Sequence, residues 1–138
     1  MSTLKKLEFI SLNNNRVEDI SSLFGLENLI SLSLGNNQIT NVASISKLQN
    51  LGYLNLEKNK ISDTISLGES NFSRLNLKDN DIDADHIKFL LDNKNLRYLV
   101  ISEQLLPEAN LLAQKQGRHD LFISSSIDIP IEIDYECR

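Results

Sequence analysis

Between Asp79 and Asp85 carboxylates stand at every second position, Asp79-x-Asp81-x-Asp83-x-Asp85, a spacing at which a loop can wrap oxygen ligands round a calcium ion. A calcium loop also needs a glycine at its sixth position to turn and an acidic residue at its twelfth to close the coordination. Ala84 and Leu90 occupy those positions here. His86 and His119 lack a second ligand-type residue at metal spacing, and the sequence contains no phosphate-binding glycine loop, nucleophile elbow or zinc signature. The expectation is a non-enzymatic chain without metal or cofactor, so the chemistry left is recognition. Phe9, Ser31, Tyr53, Arg74 and Tyr98 follow one another at intervals of 22, 22, 21 and 24 residues. Aromatic and arginine side chains are the usual anchors of protein interfaces, because they bury much area at small entropic cost.

Those intervals belong to a repeated phrase. Leu7-x-x-Ile10-x-Leu12-x-x-Asn15-x-Val17 returns from Leu29, from Leu51 and from Phe72, and a fifth copy, Leu96-x-x-Leu99-x-Ile101-x-x-Gln104, replaces the asparagine. Its alternating apolar positions predict a very short strand with every second side chain in a core. Stacked copies would build a parallel sheet over one continuous core. After each strand the chain must turn, and an inward amide can satisfy the backbone groups left there. Asn15, Asn37, Asn59 and Asn80 are therefore expected to form an internal ladder, each worth about 1–3 kcal/mol.

On the return path the first two copies place apolar residues at three-residue steps, Val17, Ile20, Leu23, Leu26 and Ile39, Val42, Ile45, Leu48, which predicts 3₁₀ turns. Residues 61–69 lose that spacing and are expected to be irregular. Residues 83–91 predict a helix capped by Asp83 with Ile87, Leu90 and Leu91 on one face. A second helix is expected over 107–116, with Pro107 in its first turn and Gly117 as its stop, followed by strands over 121–123 and 127–134. The last alternates strictly, has an acidic outer face, and Pro130 confines it to an edge.

The phrase resembles the leucine-rich repeat superfamily, and the short three-step return segments look most like its internalin-type class, found in many bacteria. The resemblance covers residues 4–104. It implies an α/β fold, a right-handed solenoid of about five repeats with a parallel concave sheet; the helix and strands read after it make residues 105–138 an α+β C-terminal cap, and the length without a linker suits one domain of 138 residues. The resemblance also implies protein binding through the concave face and no catalytic chemistry.

Aligning the copies stacks the outward residues of that face into columns: Phe9, Ser31, Tyr53, Arg74, Tyr98; then Ser11, Ser33, Asn55, Asn76, Val100; then Asn13, Gly35, Glu57, Lys78, Ser102. The candidate protein-binding residues are Phe9, Ser31, Ser33, Tyr53, Asn55, Glu57, Arg74, Asn76, Lys78 and Tyr98, with a shallow pocket at Ser31, Ser33 and Gly35. A net charge of −5 disfavours nucleic acid and favours a basic protein partner. No apolar run is long enough to span a membrane, Leu7, Ile10 and Leu12 are needed in the first repeat rather than in a signal peptide, and the single cysteine, Cys137, suits a reducing compartment. Cytoplasmic localisation is expected. Met1 to Lys6 are too few to cover the first repeat, which leads to a monomer or weak homodimer. The leading functional expectation is a bacterial immunity protein or inhibitor that neutralises a toxin or enzyme from its concave face. The alternative is a host-directed effector or scaffold acting through its acidic C-terminal edge.

Overall fold

A computed structural model of the protein describes residues 4–126, so the edge strand expected over 127–134 and Cys137 lie outside the described residues. Among those described, six strands of three residues form one sheet: β1 (Phe9–Ser11), β2 (Ser31–Ser33), β3 (Tyr53–Asn55), β4 (Arg74–Asn76), β5 (Tyr98–Val100) and β6 (Phe122–Ser124). They lie in sequence order, and each is parallel to the next. The central residues Ile10, Leu32, Leu54, Leu75, Leu99 and Ile123 pair in register across the sheet and point to the core. A slip of one residue would turn that apolar row to solvent, which fixes the register. Leu29, Leu51, Phe72 and Leu96, the opening residues of their copies, are fully buried, whereas Leu4 and Leu7 in the first copy remain exposed.

The asparagine ladder forms, and its rungs at Asn37, Asn59 and Asn80 each join two repeats. The Asn59 amide donates to the carbonyls of Leu34 and Leu56, while its oxygen accepts from the backbone N–H of Ile39. Asn37 does the same between Leu12, Leu34 and Val17, and Asn80 between Leu56, Leu77 and Ile61. Asn15 is exposed and bonds only within its own repeat, to the carbonyls of Leu12 and Asn13. The fifth copy has Gln104 at the rung position, and the hydroxyl of its buried Ser102 accepts the N–H of Asp79, in the place that backbone carbonyls fill for Asn36 and Lys58. A second ladder runs along the other rim, where the amides of Asn28, Asn50 and Asn71 donate to the carbonyls of Lys5, Glu27 and Gln49. In front of the first ladder, Asn14, Asn36, Lys58 and Asp79 all adopt left-handed backbone, with φ between 53° and 61°.

The 3₁₀ turns expected after β1 and β2 are Ser21–Gly25 and Ala43–Lys47. A third, Ile65–Glu69, occupies the stretch predicted to be irregular. The polar residue that disguised it is Thr64, which is fully buried in the position of Ile20 and Val42 and donates its hydroxyl to the His86 carbonyl at 2.9 Å. Its shape is close to that of valine, and the hydroxyl is satisfied. Side chains also begin each turn: Asp19, Asn41 and Asp63 accept the N–H groups of Ser21, Ala43 and Ile65.

Beyond β4 the return path becomes helical. Helix α1 (Ala84–Leu91) is capped by Asp83, which accepts the His86 N–H, while His86 Nδ1 accepts the Asp83 N–H in return. Ile87, Leu90 and Leu91 are its buried face. Helix α2 (Leu106–Lys115) follows a 3₁₀ turn at Glu103–Leu105 and ends before Gly117, which has a φ of 68° that favours glycine. Arg118 is 5% exposed; its guanidinium donates to the carbonyls of Leu91, Asn93 and Leu96 and pairs with Asp120, which also holds Arg97 at 2.8 Å. This cluster ties the end of α1 to the approaches of β5 and β6. The stretch read as a strand of a separate cap is thus β6, a sixth member of the concave sheet.

Candidate binding face

The sheet's outward positions carry the sequence-predicted columns in register. Phe9 faces Ser31, Ser31 faces Tyr53, Tyr53 faces Arg74 and Arg74 faces Tyr98. The column continues, because Tyr98 pairs with Phe122 of β6. Phe122, expected only as part of a short strand over 121–123, follows Tyr98 by 24 residues, the interval that separates Tyr98 from Arg74 and that would have placed it in the column. At this end the groups touch: the Arg74 guanidinium lies over the Tyr98 ring, 5.6 Å from its centroid, and the Tyr98 and Phe122 rings are 6.2 Å apart at an interplanar angle of 54°. Such tilted aromatic pairs and stacked guanidinium groups are mutually attractive through the ring quadrupole.

The second and third columns divide between presentation and support. Asn55 and Asn76 use their side-chain oxygens to accept the N–H groups of Glu57 and Lys78 as the chain leaves each strand. Asn76 is buried and its amide lies 3.4 Å from the Glu57 carboxylate, so it orients Glu57 rather than reaching outward. Glu57, Lys78, Ser31 and Ser33 are half-buried on the face. The notch expected at Gly35 is occupied from both sides. Asn13 accepts the Gly35 N–H at 2.6 Å, and a Cβ at Gly35 would stand 3.2 Å from the Asn13 oxygen and 3.3 Å from the Asn55 amide nitrogen. Glycine is used there to let two amides close in, which leaves a polar floor.

The acidic run from Asp79 to Asp85 is dispersed by the fold: Asp79 is the left-handed residue of a turn, Asn80 is a ladder rung and Asp83 caps α1. Among the described residues no three His, Cys, Asp or Glu side chains gather to hold a metal ion. No helix among them is long and apolar enough to cross a membrane.

A sequence model of the leucine-rich repeat family, covering two tandem copies, matches residues 27–69. The two repeats within those residues are leucine-rich repeats. Among solved structures, a leucine-rich repeat protein of Leptospira interrogans is similar over 87% of this chain and 31% of its own, at 26% identity and a TM-score of 0.66. The functional domain of an internalin J from Listeria monocytogenes, described as including a cysteine ladder, is similar over 72% of this chain and 21% of its own, at 16% identity and a TM-score of 0.56. An internalin F from the same organism is similar over 91% of this chain and 49% of its own, at 20% identity and a TM-score of 0.49. The chain therefore spans between about a fifth and a half of the length of these leucine-rich repeat proteins. No curated protein matches its sequence. Where the internalin J domain has a cysteine ladder, the ladders here are of asparagine, and the sequence has one cysteine.

Proposed function

We propose that these leucine-rich repeats form a non-enzymatic binding module that holds a protein partner against the concave sheet, and that the partner is a toxin or enzyme whose activity the module blocks. The observation that supports this reading is the column Tyr53, Arg74, Tyr98, Phe122 on four adjacent strands, in register and in mutual contact at its C-terminal end. Anchors already stacked on one another lose little freedom on binding. The flanking Asn55, Asn76 and Glu57 fix the surface round them.

A photo-crosslinking residue placed at Tyr98 should trap a stoichiometric partner that the same residue at Phe89, on the convex side, does not. With that partner purified, Tyr53→Ala or Arg74→Ala should each weaken the complex by at least about 2 kcal/mol, roughly thirtyfold. The partner's own activity should fall in proportion to added module. Equal trapping from both faces, or parental affinity in both variants, would show that the groove is not the binding surface.

A further inference from the structure

We infer that the C-terminal half of the groove recognises a carboxylate next to an apolar side chain, so that the partner presents an acidic, aromatic or aliphatic segment to Arg74, Tyr98 and Phe122. This rests on the concave-face reading and deepens it. The Arg74 guanidinium carbon stands 5.6 Å from the centroid of the Tyr98 ring, within cation–π reach, and the group carries its N–H donors along a rigid edge. That edge is a planar fork matched to a carboxylate. Arg74 takes part in none of the ion pairs or side-chain hydrogen bonds found among the described residues, in contrast to Arg97 and Arg118, which share Asp120. Lys78, on the turn after the same strand, likewise has no acidic partner among them, and the acidic side chain of the face, Glu57, is engaged by Asn76.

The charge of the face therefore runs against the charge of the chain. Two cations and one anion line the columns, whereas the whole sequence has 14 basic and 19 acidic residues. Away from the columns acidic side chains outnumber basic ones among the described residues, and net charge, which governs long-range attraction, does not describe the contact itself. A lysine set down on this strip would meet the Arg74 guanidinium at close range. A glutamate would find an unpaired fork, with Tyr98 and the exposed Phe122 beside it as a shelf for the neighbouring apolar side chain.

Three synthetic peptides with one apolar skeleton test this: Glu-Phe-Glu-Leu-Glu, its glutamine analogue and its lysine analogue, each titrated to millimolar concentration into ¹⁵N-labelled protein. The acidic peptide should shift the amides of Arg74, Tyr98 and Phe122, the glutamine peptide should bind about tenfold more weakly, and the lysine peptide should not bind there. Arg74→Gln should lower affinity for the acidic peptide about tenfold, and Arg74→Lys by less, since it keeps the charge and loses the fork. Dispersed amide spectra of both variants establish that they are folded. If the lysine or glutamine peptide perturbs the same amides as strongly, the acidic preference is overturned and the groove stands. If the acidic peptide instead shifts convex residues such as Phe24 and Phe89, both readings fall. Absence of binding by all three overturns the inference, while the crosslinking result still decides the groove.

Discussion

The two halves of this solenoid use the same strand and differ in everything that surrounds it. From β1 to β4 the return path is a 3₁₀ turn of five residues, and the groove in front carries Ser31, Ser33 and a polar floor at Gly35. From β4 to β6 it is a helix of eight and then ten residues, and the groove carries Arg74, Tyr98 and Phe122. Strands are held about 4.8 Å apart by their hydrogen bonds, whereas packed helices need about 8–10 Å. A solenoid with helices behind it must therefore bend more tightly, and the side chains in front converge. Arg74, Tyr98 and Phe122 stand before the wide, helical return path, whereas the slim path stands behind Ser31 and Ser33 with Phe9 and Tyr53 on either side.

Removing what holds α1 in place should affect one half far more than the other. Arg118→Ala removes the guanidinium from the Leu91, Asn93 and Leu96 carbonyls, of which Asn93 keeps the Leu96 N–H and Leu96 the Arg97 guanidinium, and leaves Asp120 without its buried partner; the expected cost is about 3 kcal/mol in urea unfolding. Amide exchange should accelerate in α1, β5 and β6 while β2 and β3 stay protected; uniform acceleration would show that the halves are one cooperative unit. Asn59→Ala attacks the other half, opening the junction between the second and third repeats at a cost of about 2 kcal/mol, whereas Asn15→Ala, at an exposed rung, should cost under about 0.5 kcal/mol. Lys58 is the one long side chain among the left-handed residues, so Lys58→Asn should stabilise the protein by about 0.5 kcal/mol, read as a higher urea midpoint. The smallest effect is on acid response. The carboxyls of Asp19, Asp83 and Asp120 are held below their ordinary value of 3.8 by the Ser21 N–H, the His86 N–H and the Arg118 guanidinium, respectively. A lowered carboxylate favours the folded state above that ordinary value and ceases to do so as pH falls through the folded value. The thermal midpoint should thus decline below about pH 4, with a shallower slope in Asp83→Asn, Asp120→Asn and Asp19→Asn.

The phrase, its strands and the concave columns were legible because they depend on period alone, and Ile87, Leu90 and Leu91 marked α1 by their spacing. Thr64 concealed a 3₁₀ turn, since a hydroxyl reads as polar until the His86 carbonyl that accepts it is known. The second ladder was present as Asn28, Asn50 and Asn71, each directly before the first residue of a phrase, but its acceptors lie a whole repeat away. Arg118 gave no local sign of burial, because the carbonyls that justify it come from the far end of α1 and the approach to β5. Among the candidate binding residues, Asn76 was misjudged in role: its outward column position is real, yet its amide serves Glu57 and the Lys78 backbone.

The asparagine ladders also have a direction. Asn37, Asn59 and Asn80 each reach from their own repeat to the one before it, and so do Asn28, Asn50, Asn71 and Asn93. None of these amides waits for a later repeat. As the chain leaves the ribosome from its N-terminus, every new repeat arrives carrying the groups that fasten it to the repeat already made, so assembly can keep pace with synthesis.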